Sequence, residues 1–437
     1  MTSAPPSPAS RLVVGYGAPG IALLVYLSYW LLFLYGPPGV YQSLLTGLGI
    51  VPWSYPFFDL EAVLLAIDCA RQGIDVTLPN ACMNGGYYQY SPLLLKAAAL
   101  PIGAAQRVPF GLGLDTAFLL ASFMLPRPRC WSEFWRLLLA LLSTATLFAI
   151  ERANIDVAIY LLVLAGVWLL LRGAGARGLG YAVVLVAAAT KFYPAAVLVL
   201  AARERVSRFL AIALLALVGA GILAFHYWGA LGQIFLRLPL NMPYGDIFSA
   251  TNLPNGLAYF IGDGDIDRGI GLRVQQGLMV AAVGVGLVQV GRFTPSVLVG
   301  MRSLAEPQRM LLVAGAATVA FCFFAAKNVD YRQIFLILTL PGLWALQRGA
   351  DLRPHQHRFR FASWLVIALL WSECLRYWAV RAGVFWFGGA GEVPAHLWVW
   401  AMREFCWWWL VSLLICIVLC FVWDAPLAIV LRKRLAS

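Results

Sequence analysis

The stretch Y-P-F-F-D-L-E-A-V-L-L-A-I-D-C-A-R-Q-G-I-D (Tyr55–Asp75), continued after an Asn/Gly segment by Y-Y-Q-Y-S-P-L-L-L (Tyr87–Leu95), follows a first hydrophobic segment at Leu12–Tyr35. It puts Asp59, with Glu61 beside it, where a membrane helix would leave the bilayer. An acid there opens the amphipathic segment 59–72, and two readings fit. It caps the helix N-terminus and meets the helix dipole, or it is a general base for an attacking hydroxyl. Glu61 and Asp68, further along, read as solvated or interfacial acids.

Outward from this stretch the chain is apolar. Of 437 residues 62% are hydrophobic and 12% charged, with mean hydropathy +0.80. Soluble domains carry roughly 25% charged residues, so the expectation is an all-α polytopic membrane protein. No ten-residue alternation of the barrel kind recurs. The 17 Trp and 17 Tyr suit interfacial belts. Leu12–Tyr35 is too long for a signal peptide and reads as a retained anchor. Spans are expected near 17–36, 108–126, 132–150, 153–171, 180–190, 193–202, 207–228, 270–291, 309–326, 331–347, 361–380 and 398–423, about 11–13 transmembrane helices in all. The pair around Lys191 is too short for two crossings at about 1.5 Å per residue and reads as two half-depth helices. Residues 92–105 form an apolar segment interrupted by Pro101 that lies at the interface. The whole chain, 1–437, is read as one integral membrane domain, with a core at 17–350, a long first outer loop at 37–107 and C-terminal helices at 351–437.

The net charge of +12 comes from basic residues scattered between hydrophobic segments, which argues for topology over a nucleic-acid partner. Basic loops such as P-R-P-R, R-G-A-G-A-R-G and the terminal R-K-R place both termini on the cytoplasmic side by the positive-inside rule. The unusual polar chemistry then collects outside: Glu151-Arg152-Ala153-Asn154-Ile155-Asp156, the Lys191-Phe192-Tyr193-Pro194 hinge, loop 229–269, and Lys327-Asn328-Val329-Asp330-Tyr331-Arg332.

A lysine inside an apolar stretch is a functional hypothesis that needs a named partner. For Lys191 that partner is a lipid-linked phosphate or, structurally, Glu151 or Asp156. Pro194 breaks the helix ladder beside it. Arg152, Lys327 and Arg332 supply further cations for a departing phosphate, and Arg332 reads equally as a snorkelling residue or a partner of Asp330. Glu151, Asn154 and Asp156 hold sugar hydroxyls or cap the next helix. Tyr88 and Tyr90 form an aromatic wall or an interfacial anchor. Asn255 lies in a Pro/Gly-rich loop that reads as irregular outer structure, and with Glu61 and Asp330 it is expected among the residues that bind the sugar or acceptor. Eight Cys and four His make no metal-binding spacing. Cys69 and Cys82 share the outer loop and can pair in an oxidising compartment. No Walker loop is present.

Together these motifs resemble the GT-C superfamily of membrane glycosyltransferases, and within it glycosyltransferase family 87, the polyprenol-phosphate-mannose-dependent group. The resemblance rests on Phe57–Asp75, Tyr88–Leu95, E-R-A-N-I-D (Glu151–Asp156), A-A-A-T-K-F-Y-P-A-A-V (Ala187–Val197) and K-N-V-D-Y-R-Q-I-F-L (Lys327–Leu336). It implies a GT-C-type fold in a bacterial inner membrane and inverting transfer on the outer face. The donor is a polyprenyl-phosphate sugar, mannose first; the acceptor is a lipid or glycan. It implies no covalent cofactor and leaves any divalent metal open. Asp59 matches the family's proposed base and Lys191 its cation beside the lipid phosphate; Tyr193 follows in the Lys-x-Tyr-Pro element. Two departures stand out: Tyr90-Ser91-Pro92 replaces the family's Tyr-Pro-Pro, and Glu151-Arg152 its Gly-Gln. The rival reading is a transporter of a lipid-linked sugar, which broken helices and intramembrane charge also fit.

Overall fold

The computed structural model describes residues 8–53, 55–236, 244, 247–261, 269–325, 328–349 and 355–435. It is an all-α membrane protein. Among the described residues the only β-pairing is a two-residue antiparallel ladder, Ile247 opposite Val329 and Phe248 opposite Asn328. Six described stretches are long and apolar enough to cross a bilayer: Leu12–Tyr35, Trp131–Arg152, Val206–Gln233, Gly271–Ser303, Glu306–Ala325 and Ser372–Trp423. The last is two helices, Ser372–Phe387 and Glu392–Trp423, separated by the short turn Gly388–Gly391, which opens on a positive φ at Gly388. Other expected spans are shorter, including Arg107–Ala121, Ile155–Leu170 and Ala174–Thr190.

The chain divides into two compact units that interleave along the sequence. One comprises Met1–Ser54, Leu119–Phe148 and Met242–Cys420; the other comprises Tyr55–Phe118, Ala149–Asn241 and Phe421–Ser437. In the first, the core gathers Leu141, Phe335, Trp344, Phe359 and Trp407, all nearly fully buried. Arg136 is buried there too, donating to Gln347 at 3.0 Å and to Ser363, with Trp344 and Trp364 under its guanidinium. Phe248 stacks on Trp407 at 4.6 Å, so the short ladder is packed as well as hydrogen-bonded.

The second unit is built around the helix Phe58–Arg71, which buries Val63, Leu64, Ala66, Ile67 and Cys69. Cys69 is disulfide-bonded to Cys82. The bridge ties the helix to the segment 74–90, whose Val76, Met83 and Tyr88 pack on Ala66 and Cys69. Arg71 and Asp68 pin the far side: Arg71 donates to the carbonyls of Ala98 and Leu100, and Asp68 accepts the Ala104 N–H at 2.8 Å.

Three motif-bearing segments share a backbone habit. Pro92–Ala99, Tyr193–Arg203 and Asp330–Thr339 are 3-10 helices of 8, 11 and 10 residues, whereas such runs seldom exceed three or four residues. At about 2.0 Å rise per residue the second spans about 22 Å. The α-helix before it, Ala174–Thr190, has 17 residues and spans about 26 Å. Both fall short of the roughly 30 Å hydrocarbon core, and the break between them is at Lys191. The Pro101 interruption also appears, as an extended Leu100 between Pro92–Ala99 and the short Ala104–Gln106 turn.

Candidate active site

Asp59 stands in the first turn of Phe58–Arg71, where its charge suits the helix N-terminus. Its N-cap residue makes no side-chain cap hydrogen bond. The residue before it, Phe57, is left-handed, with φ 66° and ψ 29°, a backbone region that disfavours a bulky side chain by about 1–2 kcal/mol. Two things hold it there. Its N–H donates to the Glu151 carbonyl at 2.6 Å. Its fully buried ring lies over Gly111, where an added Cβ would come within 2.5 Å of the phenyl. The second segment enters the same way. Ala153 is left-handed with φ 43°, and the next residue, Asn154, caps the helix Ile155–Leu170.

Asn154 joins the two. Its Nδ2 donates to Asp59 Oδ2 at 2.5 Å, and its Oδ1 accepts the Asp156 N–H at 2.9 Å and Lys191 Nζ at 3.4 Å. Both ends of the amide are therefore used, which fixes its orientation. Lys191 leaves the helix Ala174–Thr190 with an extended backbone and donates to Asp156 Oδ1 at 2.6 Å. Tyr193 Oη donates to the same oxygen at 2.6 Å. Lys191 also stands 5.1 Å from the centre of the Tyr90 ring, a cation–π distance. Asn154, Asp156 and Tyr193 are buried, while Asp59, Tyr90 and Lys191 are partly exposed. Asn154, Asp156 and Tyr193 are thus sealed, while the groups they hold stay in part open.

Burial raises the Asp59 pKa above its ordinary 3.8, helped by the charge of Asp156 and opposed by the Asn154 hydrogen bond and the Arg152 and Lys191 charges. Lifting a carboxylate toward neutral pH strengthens it as a base without keeping it protonated at high pH.

The other expected residues divide cleanly. Arg152 and Glu151 adjoin the site, ion-paired at 3.1 Å, with Arg152 over the Phe58 ring. Glu61 pairs with Arg107 at 3.1 Å, and Arg107 covers the Tyr55 ring; this is a partly buried ion pair. Tyr88 packs in the disulfide-bridged core and donates to the Ser91 carbonyl, so only Tyr90 of the two lies against Lys191. Asp330, Arg332 and Asn255 belong to the other unit. There Asp330 meets Arg403 at 3.4 Å, Arg332 donates to Asn328, and Asn255 accepts from Gln275 at 2.6 Å. Lys327 lies outside the described residues.

Sequence reasoning passed over two features. Asp115, on the helix Arg107–Ala121, is buried, lies in electrostatic reach of Glu151, and has no hydrogen-bond partner for either carboxyl oxygen among the described residues. In the other unit, buried Arg403 binds Glu373 at 2.6 Å, Glu404 at 3.2 Å and the Ile247 carbonyl at 3.1 Å, while Asn252 donates to Glu404 at 2.6 Å. Each was an ionisable residue inside an apolar segment, the signal that singled out Lys191.

No family model matches the chain, and no characterised protein matches it in sequence. A solved structure that resembles it is the crystal structure of ArnT from Cupriavidus metallidurans in the apo state, at 16% identity over 95% of this chain and 76% of that one, with a TM-score of 0.37. A likeness of that strength assigns this chain neither a fold family nor an activity.

Proposed function

We propose that this chain is an inverting glycosyltransferase of the GT-C type, taking a sugar, mannose first, from a polyprenyl-phosphate donor. The observation that carries this reading is the connected set Asp59–Asn154–Lys191–Asp156–Tyr193, drawn together from three separate motifs. Asp59 accepts the proton of the acceptor hydroxyl as that oxygen bonds to the anomeric carbon. The bond from that carbon to the phosphate oxygen breaks on the opposite face, and its electron pair leaves with the polyprenyl phosphate. Lys191, fixed by Asp156, and Arg152, fixed by Glu151, lend positive potential as charge grows on the leaving phosphate. Tyr90 flanks the sugar or the prenyl chain; Asn154, Asp156 and Tyr193 act mainly behind the reacting groups by orienting them. The acceptor is a lipid or glycan, and membrane lipids surround the protein. The Cys69–Cys82 bridge supports an oxidising, outward-facing location for this unit, as on the periplasmic side of a bacterial inner membrane.

Purified protein in nanodiscs, incubated with radiolabelled polyprenyl-phosphate mannose and a membrane-lipid extract, tests the reading. A labelled glycolipid made by the wild type and not by Asp59→Asn supports it. Label that crosses sealed vesicles while remaining on its carrier, with no new glycosidic bond, replaces it with a transporter.

A further inference from the structure

The polar contacts explain what Asp59 touches but not what aims it, because Phe57, at the N-cap of the helix that carries it, makes no side-chain cap hydrogen bond. The geometry points to Phe57 as the positioning residue of Asp59, with Gly111 as the seat of its ring. This inference rests on the transferase reading for its kinetic consequence, though not for its structural one.

Two strands of observation meet at Phe57. The first is the backbone. Its left-handed conformation turns the chain into the helix so that its carbonyl accepts the Glu61 N–H at 2.9 Å, while its own N–H crosses to the Glu151 carbonyl at 2.6 Å. Glu151 lies three residues before Asn154, and left-handed Ala153 makes the turn between them. One hydrogen bond thus registers the segment carrying Asp59 against the segment carrying its amide partner. The second is the ring. Phe57 is fully buried, and the phenyl lies so close to Gly111 that any side chain there would come within 2.5 Å of Cγ and 2.6 Å of both Cδ atoms. Gly111 has ordinary helical geometry and no need of a positive φ. The glycine is required for space. A strained residue persists only where its surroundings over-determine it, and such residues concentrate where geometry is functional.

The test is a double-mutant cycle of Gly111→Ala and Phe57→Gly, with two readouts. Glycine at 57 keeps the left-handed backbone without steric cost and removes the ring. In Gly111→Ala the phenyl is displaced. Amide hydrogen exchange at Phe57 should rise at least about tenfold, since its bond to Glu151 loosens. Turnover should fall by about 10- to 100-fold in kcat, the scale of a misplacement near 1 Å, while KM moves less than about threefold because donor contacts remain. Combined with Phe57→Gly, the alanine should add no further loss, since the atoms it would meet are gone. A Gly111→Ala protein with kcat within twofold of wild type overturns the proposal. So does unchanged exchange at Phe57, or a double variant whose losses multiply. If the wild type transfers no sugar, the transferase reading fails instead. The exchange arm then decides alone whether Gly111 and Phe57 hold the segment bearing Asp59.

Discussion

The Asp59 site and the Arg403 cluster are both networks of carboxylates and cations inside largely apolar units, and they differ in exposure. Around Arg403 the guanidinium and its three carboxylates, Asp330, Glu373 and Glu404, are each no more than 5% exposed. Around Asp59 the supporting residues are sealed but the acid itself, Lys191 and Tyr90 are partly open. Sealed charges with matched partners hold chain segments together. Here Arg403 grips the Ile247 carbonyl and Asp330, at the ends of the two strands of the short ladder. Open charges backed by sealed ones are what a reaction needs, since substrate must reach them and they must not move when it does.

The sharpest way to break this contrast is to remove one central residue from each. Asp59→Asn should lower transfer by about 10²- to 10⁴-fold, the range for a general base, and leave thermal unfolding in detergent nearly unchanged. Arg403→Leu should do the reverse. Removing Arg403 from its buried ion pairs with Asp330, Glu373 and Glu404, of which Glu373 keeps Arg376, costs about 3–5 kcal/mol, seen as a large drop in unfolding temperature or as failure to fold. Should Arg403→Leu unfold normally, the cluster is not a structural lock.

A smaller effect is expected at the partner of Lys191. Asp156→Asn keeps the shape but removes the charge that holds both Lys191 and Tyr193, and should reduce stability by about 1–3 kcal/mol. If Lys191 serves the donor phosphate, KM for the donor changes in the same variant; unchanged kinetics would assign Lys191 to structure alone.

pH sharpens the contrast further. On the proposed reading Asp59 acts as an ionised base, and burial raises its pKa above 3.8, so the acid limb of kcat/KM should lie above that of an ordinary aspartate, with activity rising as pH rises through it. The stability contribution runs the other way. The folded state holds the proton more tightly than the unfolded chain, so this contribution is complete below the unfolded pKa and is lost as pH rises through the folded one. Asp59→Asn should abolish both slopes, measured by initial rates and by unfolding at stepped pH. The smallest change is expected at Asp115. Neither carboxyl oxygen has a hydrogen-bond partner among the described residues, so Asp115→Leu leaves no donor unsatisfied and should shift stability by no more than about 1 kcal/mol, toward stabilisation.

How far the sequence could be read depended on whether an interaction was local. Asp59 opening a helix, Pro194 interrupting one, and Cys69 and Cys82 thirteen residues apart in one loop were all visible, because periodicity and turn chemistry act over a few residues. Tyr88 and Tyr90 were not separable, since both are aromatic residues at the same kind of boundary and only packing sends one into the core. Lys191 was recognised as anomalous because an apolar setting makes any charge expensive. The same rule applied to Asp115, Glu373, Arg403 and Glu404 would have marked them, though it would not have paired them.

Composition and hydropathy alone determined that this is a helical membrane protein, because backbone polar groups in lipid must be satisfied within each segment. They also determined which few polar residues had to be explained. The tertiary structure decided which of those residues meet. Asp156 over Glu151 for Lys191, Asn154 as the bridge to Asp59 from 95 residues away, and Arg403 for Asp330 are choices among chemically equal partners. It also decided that Phe57 adopts a left-handed backbone, which no local preference of phenylalanine predicts. The physical reason is the same in each case: the partner is selected by packing among residues distant in the chain.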